Sequence, residues 1–225
     1  MPAQQSREIA TEGVFARIVD LAQVKLSDHI VATRRFYAKR HGESPGSGIY
    51  SRHDWARIGY VSGMLGGGER VLDVGVGGGQ LINALAMSGA YSQVMGVDIT
   101  THSKFIRQTD AFEMRRMNVA DLQFEDGSFD AVICMEVLEH VNRPTFLAGL
   151  KEIRRVCCGQ LIMTVPFEEP EPLPRYHKQR FDRAAISDLW PTAVRQLLRR
   201  PGVSWALMEE HPARLAHAIH AGGVQ

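Results

Sequence analysis

Three glycines two residues apart, Gly75, Gly77 and Gly79, follow the apolar run Val71-Leu72-Asp73-Val74. A strand that breaks into glycines and then into a helix turns tightly and lets a ligand approach the main chain. The following helix presents its free N–H groups to that ligand. The chemistry of such a loop is the binding of a nucleotide-like cofactor. A dinucleotide fingerprint, G-x-G-x-x-G/A, needs a third small residue where this chain has Gln80. Asp73 also places a negative charge two residues before the first glycine. That charge repels a pyrophosphate and suits a cofactor with a cationic end. A second acid, Asp98, closes the run Val94-Met95-Gly96-Val97. The spacing from Gly79 fits one helix and one strand, so Asp98 is expected at the carboxyl end of a neighbouring strand, where open α/β sheets bind ligands.

Another group of reactive side chains lies further on. Glu136, Glu139 and His140 are three and four residues apart, and one helical turn would cluster them. His177, within Tyr176-His177-Lys178-Gln179-Arg180-Phe181, is a second imidazole that could join them. Two carboxylates and two imidazoles suit a divalent cation. A histidine alone in such a place suits general acid–base work. Residues 166–181 form a Pro-rich, acidic loop that reads either as a solvated connector or as a cover over the site.

The elements that must position these groups follow from pattern. Residues 1–68 read as helical. Val14, Phe15 and Ile18 recur at helix spacing; a second helix runs from a Ser27 cap to about His41, closed by Gly42; a third starts at Ser51, with Asp54 as capping-box partner. Gly66-Gly67-Gly68 reads as a linker. β-rich runs then alternate with helical patterns, which signals βαβ units and a mainly parallel sheet. Strands are expected at 70–74, 93–98, 112–117, 129–134, 159–165 and 203–208, with helices at 78–88 and 143–156. Asn142 is placed to cap the second of these helices, and Pro144 falls in its tolerated first turn. The tail 212–221 fits either a helix or a strand hairpinned back on 203–208.

Asp73-x-Gly75-x-Gly77-x-Gly79 resembles the first motif of the class I S-adenosylmethionine methyltransferases. Val94–Asp98 is similar to the family's second strand, and Asn118-Val119-Ala120-Asp121-Leu122 to its adenine-contacting turn. Phe124 to Val141 resembles the fourth-strand block of the small-molecule, type 11 branch. The resemblance covers about residues 69–165. It implies a Rossmann-like α/β fold: a mostly parallel twisted sheet with helices on both faces, over 69–225, under an N-terminal helical cap of residues 1–68. It implies S-adenosyl-L-methionine as cofactor and methyl transfer to a small-molecule acceptor. By the same resemblance Asp98 holds the ribose, Asp121 and Leu122 meet the adenine, and Gly75, Gly77, Gly79, Asp73 and the Met135 backbone receive the methionine arm. His140 and His177 are the candidate bases, and the cap residues Tyr50, His53 and Trp55 are expected to shape the acceptor pocket. The Glu136–His140 string also resembles the metal set of RNA 3′-end 2′-O-methyltransferases, but it is shared with metal-free type 11 enzymes, and no resident metal is expected. A nicotinamide oxidoreductase, a metal-dependent RNA methyltransferase and a non-catalytic binding module are the rival readings.

Composition bounds the rest. The 225 residues are 44% hydrophobic and 23% charged, an ordinary globular balance for one domain or one domain with an appendage. Lys+Arg 26 against Asp+Glu 25 leaves a net charge of +1, which argues against binding nucleic acid through a large basic surface. No apolar run reaches the roughly 20 residues of a membrane span, and the first residues lack a signal-peptide pattern. Cys134, Cys157 and Cys158 fit neither a disulfide framework nor a zinc motif. The expectation is a soluble protein of the reducing cytoplasm.

Overall fold

The structure, a computed structural model, describes residues 25–43, 48–200 and 203–212. A helix over 25–41, α1, opens the described chain. α2 (Arg52–Met64), β1 (Gly68–Val74), α3 (Gln80–Ser88), β2 (Tyr91–Asp98) and β3 (Glu113–Arg116) follow. β4 (Phe129–Met135) runs into a 3-10 turn over Leu138–His140, then come α4 (Arg143–Val156), β5 (Cys157–Pro166), α5 (Arg183–Leu189), β6 (Val194–Arg200) and β7 (Val203–Glu210).

All seven strands share one sheet, ordered β3-β2-β1-β4-β5-β7-β6. β1 to β5 pair in parallel, and β7 lies antiparallel between β5 and β6. The winding reverses between β1 and β4, so the crevice for a ligand opens at the carboxyl ends of these two strands. Side chains alternate across the sheet with period two. Val71, Ile133 and Ile162 face a layer made by Ile30 and Tyr37 of α1, Trp55 of α2 and Ile82 of α3. Leu72, Val132 and Leu161 face Phe146 and Ile153 of α4 and Ile186 of α5. Both faces are covered, which is why β1, β4 and β5 read as continuous apolar runs.

The cap signals act largely as expected. Ser51 Oγ accepts from Asp54 N at 3.1 Å and Asn142 Oδ1 from Thr145 N at 3.0 Å, each contributing about 1 kcal/mol. Gly42, at φ 72°, ends α1 by donating its N–H to Ala38 O. Ser27, however, is no cap, because Lys25 and Leu26 are already helical. The Asp54 carboxylate accepts from Tyr50 N, one residue before the position a capping box would use.

The pattern missed α5 and β6. Val194–Arg200 carries three arginines and two leucines, a composition without period-two alternation; it becomes a strand because β7 offers an antiparallel edge. β7 is itself paired on both sides, by β5 and by β6. Residues 213–221 and the 14–22 periodicity lie outside the described residues. The connection from β2 to β3, residues 99–112, contains no helix and folds across the glycine loop.

Candidate active site

The glycine loop follows β1 directly. Gly75, Gly77 and Gly79 all take positive φ, at 79°, 54° and 88°. At Gly75 the requirement is double, since a Cβ there would lie 2.2 Å from Val137 Cγ2. Gly75 N–H donates to Val97 O at 2.8 Å, and Gly77 N–H to Asp98 Oδ2 at 3.1 Å. The outer side of the loop is held from the N-terminal helices and from the 99–112 segment. Tyr37 OH donates to Gly78 O at 2.9 Å, Ile106 N–H to the same oxygen at 3.2 Å, and Asn83 Nδ2 to Gly79 O at 2.7 Å. Tyr50 OH donates to Lys104 O and so pins that segment. Tyr37 and Tyr50, whose rings lie 4.9 Å apart, both reach the loop at Gly78 O, whereas Trp55 is a core residue.

Two carboxylates converge on this loop. Asp73 is 3% exposed, and its carboxyl is pushed up to about 7 by burial and, secondarily, by the charge of Asp98. Asp98 is half-buried at the end of β2, and its second oxygen accepts from Thr100 N at 3.3 Å. A cleft opens between Gly75 and Asp98 on one side and Val137 and Val141 on the other, with Ile99, Met117, Asn118 and Val119 along its length. Asp98 is the one acid among its lining residues, and the walls are apolar, a setting that suits a polar sugar joined to a flat apolar ring. A larger open groove, about 510 Å³, runs along α2 beside Gly59 and Gly63 but is lined by no acid or histidine.

The sequence-expected adenine contacts sit slightly off this cleft. Asp121 is exposed; Leu122 is 2% exposed and packs in the core, with its backbone clamped by Glu152 Oε2 and Arg155 Nη2. The cleft is lined by Asn118 and Val119, at the start of the same turn, and by Ile99 and Met117. Ile99 is 59% exposed immediately after Asp98, an apolar residue beside an acid that could have flagged it. Met135 ends β4, paired with Thr164 and partly buried. Asp130, inside the fourth-strand block, has a structural role: it accepts from Glu69 N and Arg70 N at 2.8 Å and pins the start of β1.

Beyond β4 the chain brings together most of the predicted cluster. Glu139 and His140 lie in the 3-10 turn, and His177 arrives from the loop after β5. The two imidazoles lie 5.1 Å apart, and the ligating atoms of Glu139, His140 and His177 fall within 4.8 Å of one another. His140 Nδ1 contacts Tyr176 O at 3.2 Å; His177 Nδ1 contacts Glu169 Oε2 at 2.7 Å. Lys178 N and Gln179 N both donate to Glu139 O, so the loop is stitched to the turn and is no free connector. Burial, and then the Glu136 charge, raise the Glu139 carboxyl well above the ordinary range, and its Oε2 has no hydrogen-bond partner among the described residues. Glu136 does not join the turn. It takes a left-handed φ of 53°, and its carboxylate faces Thr164 Oγ1 at 3.0 Å and Arg57 Nη1 at 3.4 Å.

Comparison with known proteins agrees with this geometry. Residues 72–160 match a family described as "Methyltransferase domain". A ubiquinone biosynthesis O-methyltransferase of Alkalilimnicola ehrlichii is 37% identical over 136 residues, 56% of this chain and 54% of that protein. One of Paracidovorax citrulli is 43% identical over 97 residues, 39% of this chain and 40% of the relative. The matched part of the chain thus spans about half or less of these relatives' length. Among solved structures, the 1,6-didemethyltoxoflavin-N1-methyltransferase of Burkholderia thailandensis, with bound S-adenosylhomocysteine, shares the fold at a TM-score of 0.57 and 20% identity, covering 68% of this chain and 75% of that one. Over residues 72–160 the chain is therefore similar to this family of methyltransferase domains, and its sheet has the α/β arrangement of the methyltransferase structures it matches.

Proposed function

We propose that the protein transfers the methyl group of S-adenosylmethionine to a hydroxyl of a small-molecule acceptor. The observation that carries this reading is the placement of Asp98 beside the glycine loop in a cleft at the sheet's reversal point, where it accepts from Gly77 N, with the buried Asp73 close enough to feel its charge. Asp98 would exchange its Gly77 and Thr100 partners for the two ribose hydroxyls, in a charge-assisted pair. Ile99, Met117 and Val119 would flank the adenine, with Asp121 at the rim. Asp73 would face the ammonium of the methionine arm, beside the Met135 backbone. The curated relatives act on oxygen by name, which supports a hydroxyl acceptor for this chain.

The step is an in-line displacement: the acceptor oxygen bonds to the methyl carbon as the carbon–sulfur bond breaks, and sulfur keeps the electron pair. The sulfonium is already electrophilic, so alignment is the main task, worth up to about 7–11 kcal/mol. The acceptor proton needs a base, which contributes roughly 10²–10⁴-fold. His140 and His177, neighbours beyond β4, are the candidates. The unpartnered Glu139 oxygen favours a second reading of this same end of the site. In it, a divalent cation held by Glu139, His140 and His177 would acidify the acceptor hydroxyl. Residues 1–68 would act as a cap over a catalytic unit of 69–225. Among the described residues no helix is long and apolar enough to cross a membrane, and all three cysteines are unpaired, which supports action in the reducing cytoplasm.

A thermal-shift titration with S-adenosylmethionine, S-adenosylhomocysteine and NAD tests the cofactor. A ligand at a hundredfold its Kd stabilises by about 2.7 kcal/mol. Both sulfur ligands should shift the wild type and NAD should not; a shift with NAD alone would refute the reading. Methyl transfer to a panel of phenols and catechols, with and without EDTA, then tests acceptor and cation. Activity lost to EDTA and restored by Mg²⁺ would support the cation; activity indifferent to EDTA would leave the two histidines as the bases.

A further inference from the structure

A polar chain, buried at Gln80 and Asp54 and half-buried at Arg57 and Glu136, links the N-terminal helices to both walls of the cofactor cleft. Gln80, the first residue of α3 and the neighbour of Gly79, donates its side-chain amide to Asp54 Oδ2 on α2. Asp54 Oδ1 accepts from Arg57 Nη2 at 2.6 Å, and Arg57 Nη1 reaches Glu136 Oε2 at 3.4 Å. Glu136 is fixed further by Thr164, whose hydroxyl donates to Oε1 and whose carbonyl accepts from Glu136 N, both at 3.0 Å. The next residue, Val137, packs on Gly75 so closely that no Cβ would fit there. One wall, the glycine loop, thus hangs from Asp54 through Gln80. The other, at Val137, hangs from Arg57 through Glu136.

Two features of the link oppose stability. Glu136 holds a left-handed backbone that a non-glycine residue adopts at a cost. Arg57 Nε is buried with no acceptor among the described residues, and an unmade buried hydrogen bond is also costly. A link kept despite both penalties points to a role in the site.

We propose that Arg57 is a positioning residue of the cofactor cleft: by bridging Asp54 and Glu136 it sets the gap between the glycine loop and Val137, and so the affinity for the methionine arm. The proposal rests on the cofactor reading above. It makes the cap a determinant of cofactor affinity although Arg57 is no part of the cleft lining.

The test measures S-adenosylhomocysteine affinity by calorimetry, and ligand-free unfolding temperature, in four proteins: wild type, Arg57→Met, Arg57→Lys and the double variant Arg57→Met/Glu136→Gln. Methionine keeps the stem over Trp205, whose ring lies 5.7 Å from the guanidinium carbon, and removes the bridge. Affinity should fall roughly tenfold, within the range seen when a contact outside a ligand site is removed. Lysine keeps the charge but not the fork, and should lose several-fold in affinity at a nearly unchanged unfolding temperature; it carries the test if Arg57→Met fails to fold. In the double variant the unpaired Glu136 charge is gone while Asp54 still lacks its cation, so the unfolding temperature should recover in part while affinity stays low. Wild-type affinity in the Arg57 variants, or affinity that recovers together with stability, would overturn the proposal. A wild type that fails to bind S-adenosylhomocysteine would instead overturn the cofactor reading on which it stands.

Discussion

Asp73 gives the sharpest quantitative handle on the site. Its carboxyl ordinarily ionises near 3.8 and here is raised to about 7, by burial and then by Asp98. At pH 6 about ten in eleven molecules without ligand carry Asp73 as the neutral acid; at pH 8 about one in eleven do. If the cationic methionine arm binds the ionised form, apparent affinity scales with the ionised fraction. S-adenosylhomocysteine should then bind roughly tenfold more tightly at pH 8 than at pH 6. Binding at pH 6 should release close to one proton, and at pH 8 almost none. Calorimetry in two buffers of different ionisation enthalpy reads both quantities. Asp73→Asn should flatten the pH dependence and abolish the proton release. Affinity that is level from pH 6 to 8 in the wild type, or a slope that survives in Asp73→Asn, would refute the reasoning. The same shift has a stability consequence of opposite sense. The folded state holds the proton more tightly than the unfolded chain, so its contribution is lost as pH rises from about 4 to about 7. The shift from 3.8 to about 7 is worth at most about 4 kcal/mol. Asp73→Asn should therefore be more stable than wild type at pH 8 without ligand, the signature of a charge kept for binding.

Other outcomes follow from single contacts. Asp98→Ala removes two acceptors for the ribose, and at about 1.5–3 kcal/mol per charged hydrogen bond it should weaken S-adenosylhomocysteine by a hundredfold or more, read as a lost thermal shift. Gly75→Ala meets Val137 Cγ2 at 2.2 Å and a φ of 79°; urea unfolding should show a loss of about 2–4 kcal/mol, only part of which Val137→Ala restores, since the backbone strain remains. Arg154 holds the buried Glu210 with two contacts of 2.7 Å, tying α4 to β7. Arg154→Met should cost about 3 kcal/mol by leaving that carboxylate unpaired, and adding Glu210→Gln should recover most of it; an unchanged denaturation midpoint would show that Glu210 finds another partner.

Much of the glycine loop and of the strands that carry it was legible in the chain because its requirements are local. A glycine at a positive φ is a demand on one residue, and an apolar run with a covered face on each side is a demand on one strand. Gly75, Gly77, Gly79, Asp73 and Asp98 could therefore be named from spacing, as could β1, β2, β4, β5 and the capped start of α4. The far wall of the cleft was less legible. The family resemblance implies a contact role for Leu122, but Arg155 and Glu152 hold its turn in the core, and Ile99 and Met117 line the cleft.

What the sequence determined by itself is the set of local rules: where the chain turns, which runs are buried on both faces, and which acid stands at a strand end. What only the tertiary structure decided are the pairings between distant segments. β6 is a strand because β7 offers it an edge, not because Val-Arg-Gln-Leu-Leu-Arg-Arg prefers one. Gln80, which in the sequence marks only a departure from a dinucleotide fingerprint, is the residue that ties α3 to Asp54. Glu136 leaves the helical turn that its spacing predicts because Thr164 and Arg57 hold its carboxylate on the other side of the strand end. Such choices are made by partners many residues away, and a periodicity of two or 3.6 carries no information about them.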